Sequence, residues 1–146
     1  MAKTYKVTPM SRFINKIMGW LIRLGLGPKQ SYLLTVQGRK SGKLYATPVS
    51  LVIDDDERWL VSPYGEVSWV KNARAAGQVT LRRGGKSETV AITQVGPVES
   101  APILKKYINV EAITRPYFDL EPDAPIEIFI AEAWKHPVFK IGNSVD

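Results

Sequence analysis

The chain has 146 residues, an apolar fraction of 45%, a charged fraction of 23% and a net charge of +6. This length and composition predict one globular domain, residues 1–146, and the positive charge favours anionic partners such as a phosphorylated cofactor or an anionic membrane. Disulfides, thiol nucleophiles and thiolate-bound metals are excluded because the chain lacks cysteine. No nucleic-acid-binding motif, long apolar run or signal peptide is present, so a cytoplasmic protein without nucleic acid is predicted.

The first predicted element is an N-terminal helix over residues 9–26. Thr8-Pro9 is typical of a helix start, and Gly25 and Pro28 are typical of its end. One face carries apolar residues at helical spacing: Met10, Phe13, Ile14, Ile17, Met18 and Leu21. The other face carries Arg12, Lys16, Trp20 and Arg23. The apolar stripe favours packing on a sheet, whereas tryptophan among bases also suits a peripheral membrane contact or a cover over an apolar substrate.

A basic loop, residues 38–43, joins predicted strands over 32–37 and 45–53. It reads Gly-Arg-Lys-Ser-Gly-Lys, which places three cations and a hydroxyl within six residues. A glycine-flanked turn with free N–H groups and cations can bind an anion, although a solvated hairpin turn is the simpler alternative. Pro48 in the second strand predicts an edge, a bulge or a place where another group approaches the backbone.

The middle of the chain continues the alternation of strands and turns. The predicted elements are a strand over 58–62, a turn over 63–66, a short helix capped by Ser68 and ended by Gly77, and strands over 79–82 and 88–95. On the short helix, Trp69, Asn72 and Ala73 share one face. Because a buried amide needs a hydrogen-bond partner, Asn72 on that face predicts one.

The last third is less regular. It predicts a helix over 97–110 broken near Pro102, a proline-bounded loop over 114–122, and a final strand over 137–141. Residues 126–134 fit either a strand or a helix, and the helix is favoured. Five or six strands with flanking helices predict a small antiparallel barrel whose ligand site lies at its mouth.

The chain has few groups that could catalyse a reaction by themselves. His136 is the single histidine, and a structural role is expected for it. Neither a nucleophile elbow nor a GxGxxG fingerprint is present. Cations, aromatic side chains and backbone amides remain, and these suit a protein that binds a cofactor carrying the reactivity.

Several segments together resemble the deazaflavin-dependent nitroreductase family, which are split-barrel oxidoreductases of actinobacteria. These segments are Leu33–Thr35, Gly38–Gly42, Thr47-Pro48, Ser62–Gly65, Trp69–Ala76 and Glu132–Phe139. The resemblance implies an FMN-binding-type split β-barrel and coenzyme F-420, an 8-hydroxy-5-deazaflavin with a phosphate and an oligoglutamate tail. The chain departs from the family at Lys43–Tyr45, where common members have Gln-Pro-Arg, so one arginine contact is in doubt.

The resemblance also implies roles for individual residues. Those expected to hold the phosphate and tail carboxylates are Arg39, Lys40, Ser41, Gly42 and Lys43. The strand backbone at Thr47, Pro48 and Val49 is expected to face the deazaflavin ring. The opposite wall is expected to contain Tyr64, Gly65, Trp69, Asn72 and Ala73. Tyr117, and after it Tyr107, are the candidate proton donors.

The activity implied by this family is hydride transfer to a lipophilic acceptor such as a quinone, an enone or a nitro compound. A carrier that binds the deazaflavin or a fatty acid without turnover is an alternative, as is an FMN-binding split-barrel reductase. Small barrels often pair edge strands between subunits, so a homodimer is a further prediction.

Overall fold

The structure is a computed structural model that describes residues 2–4, 6 and 8–145. The helices are α1 (Pro9–Arg23), α2 (Ser68–Ala76), α3 (Pro97–Val110) and α4 (Ile126–Glu132), with 3₁₀ helices Ala112–Tyr117 and Ala133–Lys135. The strands are β1 (Ser31–Gln37), β2 (Leu44–Asp54), β3 (Glu57–Val61), β4 (Gln78–Arg83), β5 (Lys86–Gln94) and β6 (Val138–Ser144). In the described residues no helix is both long and apolar enough to cross a membrane.

The six strands form a closed antiparallel barrel in the order β1-β2-β3-β6-β5-β4. The long strand β2 pairs with β1 over residues 44–50 and with β3 over residues 51–54, so it passes from one side of the barrel to the other. The predicted split barrel with flanking helices is confirmed. One core cluster lies between the barrel strands and α2, including Leu34, Leu60 and Phe139.

A second core cluster lies between the barrel and the C-terminal helices. It includes Trp59 of β3, Leu104 and Ile108 of α3, and Phe129 of α4. These side chains hold α3 and α4 against the barrel, and burial of each one stabilises the fold by roughly 1.5–3 kcal/mol. The end of α3 is thereby fixed beside the barrel mouth.

The N-terminal helix begins where predicted and ends at Arg23, but only the C-terminal part of its apolar stripe, at Met18 and Leu21, is partly buried against the sheet. Met10, Phe13 and Ile14 are 66%, 60% and 51% exposed. The buried residues of α1 are instead Gly19 and Ile22, near its C-terminal end. Periodicity indicated the amphipathic helix correctly, but it carries no information on which surface covers the apolar face.

Hydrogen bonds secure the C-terminal end of α1 to the barrel. The Gly84 N–H donates to the Ile22 carbonyl at 2.9 Å. The Arg83 guanidinium donates at 2.9 Å to the carbonyl of Gly27, in the turn after α1, and at 2.9 Å to that of Ser31 at the start of β1. At the other end, the Lys3 N–H donates to the Pro116 carbonyl at 2.8 Å. The first half of α1 therefore spans a gap between two attached ends.

Two further expectations about local structure need correction. The predicted break near Pro102 is wrong, because α3 continues through this residue. Pro102 lies on the exposed side of α3, so its ring meets no packed element, and the carbonyl of exposed Val98 loses one helical donor. The predicted loop over 114–122 begins with the 3₁₀ helix, whereas residues 126–132 are helical, as favoured.

Candidate functional site

A cleft of about 1160 Å³ opens at the barrel mouth between α1, the basic loop, β2, α2 and the end of α3. It collects residues from five separate parts of the chain. The sequence-predicted site residues that line it are Arg39, Lys40, Ser41, Thr47, Pro48, Val49, Tyr64, Trp69, Asn72, Tyr107 and Tyr117. The cleft is large enough for a cofactor and an acceptor side by side.

Four predicted site residues are not among those that line the cleft. Gly42 and Lys43 are exposed on the part of the basic loop that leads into β2. Ala73 is buried on the face of α2 that packs into the barrel core. Gly65 lies next to Tyr64 with a φ of +86°, and a Cβ there would come within 3.3 Å of the Lys135 carbonyl. This position therefore requires glycine for a backbone reason.

The basic loop is a tight turn whose backbone is largely bonded within itself. Gly38 N–H donates to the Lys43 carbonyl at 2.7 Å, and Gly42 N–H donates to the Gly38 carbonyl at 3.0 Å. Lys43 N–H donates to the Ser41 hydroxyl at 3.2 Å. The free amides expected at this turn are thus mostly occupied. An anion would be bound chiefly by the side chains of Arg39, Lys40 and Ser41.

Arg39 is held by the buried amide of α2. Asn72 Oδ1 accepts one hydrogen bond from the Arg39 backbone N–H at 3.1 Å and another from its guanidinium at 2.7 Å. Asn72 is 5% exposed. The expected partner of this inward amide is therefore the basic loop itself, and Asn72 fixes the place at which the loop crosses α2.

The backbone of β2 forms the floor of the cleft. Pro48 lies opposite Leu33 of β1 in the ladder. Among the described residues, β2 gains its second partner strand only from Leu51 onward. The preceding segment, residues 45–50, lines the cleft instead. Pro48 thus lies where something other than a strand can approach the backbone, which is one of the three explanations its sequence position allowed.

Three tyrosines that line the cleft lie close together. The rings of Tyr64 and Tyr117 are in edge contact, with centroids 4.8 Å apart and an interplanar angle of 77°. Tyr107 lies deeper and is 6% exposed. Burial raises the pKa of the Tyr107 phenol above its usual value, with the charge of Glu111 and the nearby Tyr64 contributing in the same direction. A phenol in this setting holds its proton tightly.

Other cleft residues were missed by sequence reasoning. Ile22 of α1 lines the cleft, as do Glu111 and Ile113 beyond α3. Ile14 and Met18 line it as well, and they belong to the stripe for which a cover over an apolar substrate was one of the expectations. Glu111 Oε1 accepts a hydrogen bond from Gln30 Nε2 at 3.3 Å. The i, i+4 spacing of Tyr107 and Glu111 was the one available signal, since it places both side chains on the same face of α3.

Behind the tyrosines lies a buried polar pair. His136 Nε2 and Glu132 Oε2 are 2.9 Å apart, and His136 Nδ1 lies 2.9 Å from the Pro63 carbonyl. Burial lowers the pKa of His136, while its hydrogen bonds to Glu132 and Pro63 oppose that shift. Both ring nitrogens of His136 face an acceptor oxygen. The hydrogen bonds to Pro63 and to Glu132 can therefore form at the same time only when the His136 ring and the Glu132 carboxylate carry two protons between them.

The closed split barrel, whose cleft is lined by a cationic loop and by aromatic side chains, defines a cofactor-binding protein of the split-barrel class. The chain belongs to the F420H(2)-dependent quinone reductase family, whose family model matches residues 13–132. The predicted family is confirmed. It follows that the chain is an oxidoreductase and that its cofactor is coenzyme F-420.

Solved structures with a similar fold share little sequence with this chain. A structure described as an F420-H2 dependent reductase is 20% identical with a TM-score of 0.54, covering 77% of this chain and 94% of its own. Another, described as a domain-swapped dimer, is 18% identical with a TM-score of 0.55, covering 92% and 99%. General stress protein 26 from Bacillus anthracis is 12% identical with a TM-score of 0.52, covering 88% of each chain. No curated protein matches.

Proposed function

We propose that this chain catalyses hydride transfer from reduced coenzyme F-420 to a lipophilic acceptor, such as a quinone, an enone or a nitro compound. The observation that carries the proposal is that one cleft is lined both by the cations Arg39 and Lys40 and by apolar and aromatic side chains, among them those of α1 and three tyrosines. A phosphorylated, carboxylated cofactor suits the cations, and an apolar acceptor suits the apolar and aromatic side chains.

The residues around these cations fit the cofactor. Arg39, Lys40 and the Ser41 hydroxyl would hold its phosphate and tail carboxylates, because charge-assisted hydrogen bonds of this kind are the strong ones. Trp69 and the backbone of residues 47–49 would flank the deazaflavin ring. When bound and reduced, the deazaflavin supplies the hydride. The cleft residues would hold the acceptor beside it and shield the site from water.

Of the two candidate proton donors, Tyr117 fits better than Tyr107. Burial raises the pKa of Tyr107, which makes it the poorer acid. Tyr117 is only half-buried and lies in the cleft against the Tyr64 ring. We therefore assign proton donation to Tyr117 and an acceptor-lining role to Tyr107.

The exposed face of α1 supports a peripheral contact with a membrane. Phe13 and Ile17 are 60% and 44% exposed, and Arg12 and Lys16 flank them along the same helix. Such a helix can lie at a lipid surface with its apolar residues inserted and its bases near anionic headgroups. Ile14 is both exposed and part of the cleft wall, so a lipophilic acceptor could pass from the membrane along this helix.

Binding and turnover measured together test the proposal. The protein is titrated with oxidised coenzyme F-420 and, separately, with FMN, and the two Kd values are compared. Reduced coenzyme is then mixed with menadione, with a long-chain quinone and with a nitroaromatic. We expect tighter binding of the deazaflavin and acceptor-dependent oxidation. Preference for FMN contradicts the cofactor assignment, whereas stoichiometric binding without oxidation favours a carrier.

The homodimer stays a prediction for this chain. The solved structure described as a domain-swapped dimer shows that this fold can associate through exchanged elements. Sedimentation of the purified protein over a range of concentrations, with and without coenzyme, measures the oligomeric state directly.

A further inference from the structure

The pair formed by Glu132 and His136 lies outside the cleft but touches both segments that carry its tyrosines. Glu132 and His136 are only 6% and 2% exposed. Both come from the end of α4 and the 3₁₀ turn after it, which pack against α3. Buried polar groups are costly unless they are fully bonded, so a pair in this position needs an explanation.

The first segment held by the pair is the loop that carries Tyr64. His136 Nδ1 bonds to the carbonyl of Pro63, the residue before Tyr64, at 2.9 Å. The next residue, Gly65, is held by the Ser62 hydroxyl, which donates to its carbonyl at 2.6 Å. The backbone on each side of Tyr64 is therefore fixed, and one of the two anchors is His136.

The second segment is the one that carries Tyr117. The His136 ring stacks on Phe118, with centroids 3.8 Å apart and planes within 17° of parallel. Glu132 Oε2 accepts a hydrogen bond from the Asp119 backbone N–H at 3.1 Å. The two residues that follow Tyr117 thus rest on the same pair that bonds to the Tyr64 loop.

We propose that Glu132 and His136 are positioning residues, which bracket the two loops and set the edge contact between Tyr64 and Tyr117 in the part of the cleft assigned to the acceptor. The inference deepens the proposed function and rests on it wherever acceptor turnover is the readout. The pair acts on this part of the cleft alone, because its contacts reach the tyrosine loops and not the basic loop.

The charged groups around the pair take part in the same contacts. Lys135 donates to Glu132 Oε1 and to Asp119 Oδ2, each at 3.2 Å, at the solvent edge of the cluster. Stability by itself does not require this arrangement, since a well-packed apolar pair of similar volume is often as stable as a buried ion pair. Placing two loops at a defined distance does require it, because apolar side chains cannot bond to the Pro63 carbonyl or to the Asp119 N–H.

The pair is replaced by apolar residues, and the loss of acceptor turnover is measured with and without the two tyrosines. Glu132→Leu/His136→Phe is made in the wild-type protein and in a Tyr64→Ala/Tyr117→Ala background. With the tyrosines present, we expect kcat/KM for the acceptor to fall about tenfold, as for misplaced acceptor groups. Without the tyrosines, the same replacement should lower kcat/KM by less than about twofold, because the effects of groups that act together are not additive. Equal losses in both backgrounds would overturn the positioning role.

Two controls complete the test. Coenzyme Kd should change by less than about threefold, because the basic loop is not touched. Glu132→Gln keeps the volume and an acceptor oxygen, so acceptor kcat/KM should stay within about threefold of wild type. If the double variant does not fold, His136→Phe alone carries the test, because it removes the bond to the Pro63 carbonyl. Its loss of acceptor kcat/KM should disappear in the tyrosine-free background, and an equal loss in both backgrounds would overturn the positioning role.

A measurement on the free protein separates this inference from the proposed function. Amide hydrogen exchange is compared between the wild type and the double variant, without coenzyme. The amides of Val67 and Phe118 keep their own acceptors, the carbonyls of Gly65 and Arg115. We expect both to exchange faster in the variant while Leu60 in the barrel does not change. Unchanged exchange at Val67 and Phe118 would refute the positioning role of Glu132 and His136. This result does not depend on whether the protein is a reductase.

Discussion

Asn72 and Arg39 are joined by two hydrogen bonds to one oxygen: the Asn72 amide accepts from both the backbone N–H and the guanidinium of Arg39, at 3.1 and 2.7 Å. The contact links residues that are 33 positions apart in the chain. Its effect is to tie the cationic loop to α2, so that the loop presents its charge to the cleft at a fixed place.

Substitution of Asn72 should separate loop placement from loop charge. In Asn72→Ala the Arg39 contacts are lost, and we expect the coenzyme Kd to rise about tenfold, the usual cost of a hydrogen bond to a charged group. Asn72→Asp keeps the acceptor but neutralises Arg39, so its Kd should rise as well while the loop amide of Arg39 stays protected from exchange. Coenzyme fluorescence and amide exchange measure the two effects. Equal protection in both variants would contradict the tether.

Charge reversal in the basic loop should weaken coenzyme binding in a salt-dependent way. We expect Arg39→Glu/Lys40→Glu to raise the Kd at least about tenfold at low salt, with a smaller increase at high salt because ions screen exposed charges. The matched control is Arg82→Glu/Lys86→Glu, which changes the net charge equally at exposed positions of β4 and β5 that do not line the cleft. A similar rise of the Kd in both variants would indicate an effect of the overall protein charge, and the loop would then not be part of the coenzyme site.

The two tyrosine candidates should differ in kinetics. Tyr117→Phe removes the assigned proton donor, so we expect kcat with a quinone to fall by roughly 10²-fold. Tyr107→Phe should leave kcat within about threefold, because the raised pKa of this buried phenol makes it a poor acid. Stopped-flow oxidation of the reduced coenzyme measures both. The reverse order of effects would transfer the role to Tyr107.

The exposed half of α1 should be dispensable for stability but needed for lipid binding. We expect Met10→Ser/Phe13→Ser to leave the free energy of unfolding within about 0.5 kcal/mol of wild type, because both side chains are already exposed. Binding to anionic vesicles and turnover of a long-chain quinone should fall, while turnover of a small soluble quinone stays.

Two control variants check the α1 prediction. Val98→Ser/Val110→Ser removes exposed apolar surface elsewhere and should leave vesicle binding unchanged. Ile22→Ser alters the fully buried anchor of α1 and should destabilise the protein. Co-sedimentation with vesicles and urea unfolding are the measurements. An equal loss with both quinones in Met10→Ser/Phe13→Ser would argue against a cover or membrane role.

Acid should remove part of the stability through Glu132. Burial by itself would raise the pKa of this carboxyl, but hydrogen bonds from His136, the Asp119 N–H and Lys135 outweigh burial and lower it. A carboxyl whose pKa is lower in the folded state stabilises the fold above its ordinary pKa of about 4.3, and that contribution is lost as the pH falls through the folded value. The difference in unfolding free energy between wild type and Glu132→Gln should therefore shrink below about pH 4.3. A constant difference down to pH 3 would contradict this.

The strands and most helix bounds could be predicted because alternating and helical spacings are local properties of the sequence. Pro102 shows the limit of local rules, since a proline on an exposed helix face costs less than one against the barrel. The stripe on α1 shows a second limit: Phe13 has the spacing of a core residue and the exposure of a surface residue. The roles of Asn72 and His136 depended on partners far along the chain, and only the fold brings those partners together.

The two walls of the cleft differ in how firmly they are attached to the rest of the protein. Arg39, Asn72 and the floor of β2 belong to a closed barrel with two packed cores. The wall formed by α1 is attached mainly through the buried residues Gly19 and Ile22 and the hydrogen bond from the Gly84 N–H to the Ile22 carbonyl. Substitutions along the rest of α1 therefore cost little folding energy, and under the proposed function this helix is where a change of acceptor would disturb the fold least. The same asymmetry makes residues 10–17 the natural segment for grafting a helix from a relative when a new electron acceptor is wanted.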